Sequence, residues 1–591
     1  MNTLGKACRT VLKERLQSAF KRSASQTPIE KTEWDAIIVG GGHNGLVAAS
    51  YLAKKRAKVL VLERRKVLGG AAVTEELIAG FHFSRASYVQ SLLRPEIVKE
   101  LKLAKHGYSV IARNPSSFTP LSDGKSYLFL SPDVEFCKEQ IAKFSNEDAT
   151  KYPQYLQWLS KLCRLVEPFF DEAPYDALYD DISRLTLAEK WSSYRAGFHL
   201  LRESVSSRRE MTEFFELLFS NSSKTLKSWF HSEPLLSTLA TDSIIGTMAG
   251  PDTPGTGYVL LHHVLGGDWS YVRGGMGSLS QSLASVAVEA GAVIQTDTVV
   301  KSILVDEIQG KVKGVETMDG RSIFSRCVLS NADPKRTFLT LCPKGSLPEE
   351  FLSKIRNLDF RSPVFKINVA LNKLPHFRCF PKRQTFEGEP TTLAAGPEHK
   401  GTIHLGSDNL NMIEKAYKDC SAHHRPSAVP IVEMTIPSAV DPTLAPRGQA
   451  VAGLFVQYVP YDAPWEDNNF KKAFVDRVFS LVEDYAPGFI ESVIGYDALS
   501  PKDLERVFGL TEGNIFHGAL SLDQLYSLRP VAGYSRYRTP IPGLYICGSG
   551  AHPGGGVSGA PGRNCSKVVL RDLKRNAEGL SLQRAFSLWK R

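Results

Sequence analysis

The chain has 591 residues, of which 42% are hydrophobic and 23% charged, and a formal net charge of +10. That composition is ordinary for a globular protein and excludes collagen, coiled coil and wholesale disorder; the length suits about four domains or two large interleaved ones. Nine cysteines without one C-x-x-C spacing exclude a dithiol reductase, a disulfide scaffold and a structural zinc site, and no uncharged apolar run reaches the ~18 residues of a membrane span.

Much of the positive charge sits at the start. Lys6, Arg9, Lys13, Arg15, Lys21 and Arg22 stand against Glu14 alone, and Leu4, Cys8, Val11, Leu12, Leu16, Ala19 and Phe20 recur at helical spacing. A basic amphipathic helix nearly free of acids is what mitochondrial import machinery reads. Residues 1–25 are therefore expected to be a presequence and the mature protein to lie in the mitochondrial matrix. Beyond that segment no basic cluster interleaved with aromatics occurs, so no nucleic-acid partner is expected. Peripheral membrane contact stays open.

Trp34 to Val39 is a short β-branched run that reads as a buried strand. It passes into Gly40-Gly41-Gly42-His43-Asn44-Gly45, with glycines at the three positions of G-x-G-x-x-G. The first glycine allows a tight turn, the second lets the backbone approach a pyrophosphate, and the third lets the next helix sit close to the strand. Leu46 to Lys55 reads as that helix, and Val59 to Leu62 as a second strand ending at Glu63, a carboxylate placed for adenosine ribose hydroxyls. Together these elements predict a dinucleotide-binding unit. Arg64 and Arg65 raise NADP as a rival, opposed by Glu63. Gly69-Gly70-Ala71, just past the acid, favours FAD, because a glycine pair there lets the chain wrap the flavin side of the cofactor.

Farther along, Arg273 to Gly277 precedes a helix with Leu279, Leu283, Val286 and Ala290 on one face. Strands are expected at Val293-Ile294 and Val299 to Val305, then a hairpin of Lys311 to Thr317 and Ser322 to Leu329 turning at Asp319-Gly320. Near the end, Gly543 to Gly550 reads as a strand ending in glycines, and a helix runs from about Ala560 to Lys574. Gly554, Gly556 and Gly559 repeat the glycine fingerprint, but Pro553 stands where a strand would run, so no second nucleotide site is expected.

With these pieces in place the chain resembles the FAD-dependent phytoene desaturase and carotenoid isomerase group, within the glutathione-reductase-like amine oxidase superfamily. The matching stretches are Ile38 to Glu63, Gly69 to Ala71, Arg273 to Leu283 and Gly543 to Gly562. The resemblance implies an α/β fold: a glutathione-reductase-like, Rossmann-type FAD-binding domain interleaved with an α+β substrate domain. The FAD domain would comprise 33–100, 270–340 and 535–575, and the substrate domain 101–269 and 341–534. It also implies FAD contacts at Val39, Gly40, Gly41, Gly42, His43, Asn44 and Gly45, at Leu62, Glu63 and Arg64, and at Gly69, Gly70 and Ala71. Val300 would meet the adenine through its backbone. Gly548, Gly556 and Gly559 would pass near the ribityl chain and the flavin. Many relatives carry Gly-Asp where this chain has Gly548-Ser549.

No catalytic triad, paired carboxylates or metal set is visible, which suits chemistry done by the flavin itself. His552, Arg273, His517 and Arg529 are candidates to approach it, each read first as a structural hydrogen-bonder. Three functions compete: an FAD oxidoreductase for a hydrophobic polyene or acyl molecule, an amine or porphyrinogen oxidase, and a non-enzymatic reuse of the scaffold as in Rab GDP-dissociation inhibitors.

Overall fold

The computed structural model describes residues 33–174, 208–380 and 389–589. The expected presequence, 1–25, lies outside them. The strands that build the two large sheets are, in chain order, β1 Trp34–Val39, β2 Val59–Leu62, β3 Ser117–Pro120, β4 Tyr127–Leu130, β5 Val293–Gln295, β6 Val300–Val305 and β7 Val312–Thr317. They continue as β8 Ser322–Ser330, β9 Val364–Leu371, β10 Thr402–Leu405, β11 Ile431–Thr435, β12 Ala450–Gln457, β13 Val493–Leu499 and β14 Leu544–Ile546. The helices that matter for the site are α1 His43–Lys54, α2 Asn146–Val166, α3 Glu233–Thr241, α4 Thr256–Val264, α5 Gly277–Glu289 and α6 Ala560–Trp589.

The first sheet has the order β6-β7-β8-β1-β2-β5, with β14 also on β8. Its centre is parallel: β1 lies between β8 and β2, β5 continues beyond β2, and β14 adds to the C-terminal half of β8. Strands covered on both faces read as continuous apolar runs, which is what Ala36-Ile37-Ile38-Val39 and Val59 to Leu62 are. The expected hairpin is present as β7 and β8, antiparallel, with Gly320 at φ +84° in its turn. Helix α1 starts at His43, three residues before the expected Leu46, because Gly42 is already its N-cap. Its buried Ala48, Ala49 and Ala53 let it pack closely, and it contacts both α5 and α6.

The second sheet has the order β13-β9-β12-β11-β10-β3-β4. Side chains alternate between its faces. One face, with Phe365, Ile367, Leu454, Val432 and Met434, packs into a core completed by Phe474, Val478 and Val482 of the following helix. The other face looks back toward the first sheet. A third core gathers Tyr152, Tyr155, Leu159, Leu236, Leu260 and Leu261 from α2, α3 and α4. The site lies where these three bodies meet.

Candidate functional site

The glycines build a cradle without side chains. At the end of β1, Gly40 takes φ +100°, a conformation that favours glycine. Gly42 caps α1 with no side-chain hydrogen bond, so the first amides of the helix face outward, where an anion is stabilised. A Cβ at Gly42 would lie 2.8 Å from Asn331 Nδ2, and that amide donates to the Gly40 carbonyl at 3.2 Å. Gly69 donates its N–H to the Gly41 carbonyl at 2.9 Å, and a Cβ at Gly70 would lie 3.4 Å from the Gly42 Cα. The two glycine runs are thus stacked on one another.

Glu63 is buried at the end of β2. Its Oε2 accepts the Gly41 N–H at 2.8 Å and its Oε1 the Arg65 N–H at 2.9 Å. The two arginines that raised NADP both line the site and also hold protein partners: Arg65 pairs with Glu75 at 2.7 Å, and Arg64 donates to the Val507 and Arg506 carbonyls.

A cavity of about 550 Å³ opens from this cradle. Val39, Gly40, Gly42, His43 and Asn44 line it, as do Leu62, Glu63 and Arg64. Gly69, Gly70, Ala71, Val300 and Gly556 complete the expected set on its wall. Gly41, Gly45, Gly548 and Gly559 do not line it. Gly41 lies behind the wall, holding Glu63. A Cβ at Gly45 would meet the Gly40 carbonyl oxygen at 2.4 Å, so this glycine seats α1 on β1. One at Gly548 would lie 2.7 Å from the Asn331 carbonyl oxygen, where β14 meets the end of β8, and one at Gly559 would lie 2.7 Å from Ile97 Cδ1.

Among the buried atoms on the cavity wall that lack a hydrogen-bond partner, His43 Nε2, Asn44 Oδ1, Arg65 Nη1, Arg336 Nε and His517 Nδ1 belong to the cradle and the residues beside it. Unsatisfied groups around a side-chain-free cradle fit a bound dinucleotide, whose phosphates, ribose and ring edges supply partners. Of the other candidates, Arg273 is exposed, His552 is held by the Phe169 carbonyl, and Arg529 donates to the Phe516, Ala519 and Ser549 carbonyls as a structural hub.

The opposite wall is the free face of the second sheet. In register across β9, β12, β11 and β10 stand Lys366, Phe455, Glu433 and His404, one per strand, all lining the cavity. Lys366 is buried and its Nζ has no hydrogen-bond partner; it lies 4.8 Å from the centre of the Tyr88 ring. Burial lowers its pKa to about 7. Tyr88 donates to Glu433 Oε2 at 3.0 Å, and burial, with Asp242 adding repulsion, raises Glu433 to about 8. Sequence reasoning missed this row. The signal was a single ionisable residue inside an apolar strand, as in Val364-Phe365-Lys366-Ile367 and Ile431-Val432-Glu433-Met434.

Helices α2, α3 and α4 give the cavity a largely apolar wall of Tyr152, Tyr155, Leu156, Leu159, Leu239 and Leu260, with Thr238 and His263 the polar residues among them. Among the described residues no group of three metal-ligating side chains occurs, no helix is long and apolar enough to cross a membrane, and the eight cysteines are all free.

Comparison with known proteins agrees with this geometry. A family model described as flavin containing amine oxidoreductase matches residues 45–562. A Rattus norvegicus protein named pyridine nucleotide-disulfide oxidoreductase domain-containing protein 2 is 47% identical over 561 residues, 92% of this chain and 94% of that one. The chloroplastic prolycopene isomerase of Daucus carota is 26% identical, covering 92% of this chain and 80% of its own. Among solved structures, cyclohexylamine oxidase from Brevibacterium oxydans IH-35A superposes with a TM-score of 0.52 at 14% identity, over 93% of this chain and all of that one.

Proposed function

The chain belongs to the flavin-containing amine oxidoreductase family, and we propose that this FAD-dependent oxidoreductase acts on a hydrophobic small molecule. The observation that carries the substrate class is the apolar chamber of α2, α3 and α4, continuous with the glycine cradle in one cavity. FAD held there would supply the hydride-accepting chemistry. The chain supplies position, shielding and a proton acceptor. Amides at the start of α1 would hold the pyrophosphate, Glu63 the ribose and the Val300 backbone the adenine. The ring of Phe455 and Tyr88, 5.7 Å apart, would flank the reacting part of the substrate. Lys366 Nζ, largely unprotonated above about pH 7, takes up a proton released beside it. The apolar side chains of the chamber would exclude water from the site.

The likeness to a prolycopene isomerase supports a hydrocarbon-rich substrate. A second reading, an amine substrate, is favoured by the acids Glu433 and Asp242 on the same wall. Anaerobic mixing of the holoprotein with unsaturated hydrocarbons and with aliphatic amines separates the two. Bleaching of the flavin absorbance by hydrocarbons supports the first reading; bleaching by amines alone replaces it with the second.

We assign the first sheet to a glutathione-reductase-like FAD domain of 33–100, 270–340 and 535–575, since all its strands fall in those segments. The second sheet goes to a substrate domain of 101–269 and 341–534. From the basic helical pattern of 1–25 we place the protein in the mitochondrial matrix. Unchanged import of a chain lacking residues 1–25 contradicts that placement.

A further inference from the structure

Between the glycine cradle and the apolar chamber the cavity wall is charged. Arg113 is 5% exposed, yet its Nη1 donates to Thr402 Oγ1 at 2.5 Å and its Nε to the Trp269 carbonyl at 3.1 Å. Both acceptors are neutral, and among the described residues Arg113 forms no ion pair. A guanidinium does not lose its proton inside a protein. This is therefore a fixed positive charge at a desolvated wall, an arrangement that costs several kcal/mol unless a partner compensates it.

The neighbours answer that charge only in part: the guanidinium lies 5.7 Å from the centre of the Tyr271 ring and attracts Asp242 and Glu433 across the cavity without forming an ion pair with either. Thr402 and His404 lie two residues apart on β10, hence on one face. His404 is held neutral, its pKa lowered to about 3 by burial and by Arg113, and its Nδ1 has no hydrogen-bond partner. Glu433 is occupied by the Tyr88 hydroxyl and keeps its proton up to about pH 8. Asp242, just past α3, faces the cavity and ionises from about pH 6, but does not reach Arg113 in an ion pair.

We propose that the substrate carries a carboxylate, received by the Arg113 guanidinium beside His404, while its hydrocarbon part fills the chamber of Tyr155, Leu159 and Leu260. This rests on the hydrophobic-substrate reading and narrows it to an amphipathic acid. The fork of a guanidinium matches the two oxygens of a carboxylate. Three strand spacings, about 14 Å, separate His404 from Lys366 along the row, so the acid group docks away from the proton acceptor.

The test uses three probes of equal chain length, decanoate, 1-decanol and decylamine, titrated into FAD-loaded full-length protein and read by perturbation of the flavin absorbance. Decanoate is expected to bind about tenfold or more tightly than decanol, as one charge-assisted hydrogen bond in a buried site provides. Arg113→Gln should erase that preference and leave decanol affinity unchanged. Should the variant fail to fold, the wild-type ranking decides alone. Decylamine binding most tightly overturns the proposal in favour of an ammonium site on Asp242 and Glu433. Equal affinity for decanoate and decanol overturns the carboxylate while leaving a hydrophobic substrate standing. No binding by any of the three overturns both.

Discussion

Lys366 and Glu433 are both cross-strand partners of Phe455, one from each side, so an amine and a carboxyl group stand two strands apart on the same face of the second sheet. Both are buried, and burial moves their pKa values toward each other, to about 7 and about 8. Near neutrality Glu433 keeps its proton and Lys366 is poised to gain or lose one. Lys366 Nζ has no hydrogen-bond partner and Glu433 accepts from Tyr88, so the two do not form a salt bridge.

Glu433 should make the fold less stable as pH rises. Its folded pKa is raised from 4.5 to about 8, so between those values the native state holds a proton that the unfolded chain releases. The contribution is complete below pH 4.5 and is lost through pH 8. Glu433→Gln does not titrate. Its melting temperature relative to wild type should be nearly unchanged at about pH 5 and raised at about pH 9, by the equivalent of about 2–4 kcal/mol. A difference that stays flat with pH contradicts the assignment.

Lys366 carries the opposite sign. With the folded pKa lowered from 10.5 to about 7, the unfolded chain binds the extra proton between those values, and stability climbs with pH across that window. Lys366→Met should therefore be more stable than wild type at and below pH 7, an advantage gone above pH 10.5. The same variant should keep its FAD but slow flavin reduction and flatten its rise near pH 7. Thermal melts across pH, with anaerobic stopped-flow reduction, check both halves.

Two glycines of one motif should fail differently. A methyl group at Gly45 meets the Gly40 carbonyl oxygen, part of a packed turn, whereas one at Gly42 meets the end of the Asn331 side chain and enters the cavity. Gly45→Ala should cost about 2–4 kcal/mol of stability. Gly42→Ala should fold and lose flavin. Melting of the flavin-free proteins and flavin released by acid, normalised to protein, distinguish the two.

The cysteines should be electrically idle. Cys547 and Cys565 are fully buried beside the first sheet, their thiol pKa values pushed up by burial, and neither is disulfide-bonded. Cys547→Ser and Cys565→Ser should lower the melting temperature, each hydroxyl costing about 1–3 kcal/mol where it finds no partner. Flavin reduction should be unaffected. NADPH-driven disulfide reduction by the wild-type protein is expected to be absent; measurable turnover reverses this view.

The cradle was legible because its parts are neighbours in sequence. Val39, Gly40, Gly42, Glu63 and Gly69 belong to one strand-helix-strand unit, whose turn chemistry and spacing follow from local sterics. Where a motif glycine faces was less legible: Gly45 and Gly548 satisfy the pattern, yet their missing side chains make room for backbone rather than for ligand. The row of Lys366, Phe455, Glu433 and His404 was legible only as lone ionisable residues in apolar strands, not as a row. Each residue comes from a different strand, separated by long connections, and only the pairing register brings them into line. Arg113 and Asp242 are likewise assembled by packing between bodies, which no periodicity encodes.

The first sheet is closed by its last strand. β14 adds to β8, and α6, which follows it, packs against α1, where a Cβ at Gly562 would sit against the Asn44 carbonyl. Ser549 and Gly556, on the cavity wall, belong to this final stretch. A nascent chain on the ribosome therefore exposes Gly40 to Gly70 long before the cradle has its far side, and flavin capture has to wait until the stretch from Leu544 to Gly562 has been made. A premature stop anywhere upstream of Leu544 would leave the fingerprint intact and the cofactor unheld, with the β8 edge open to aggregation.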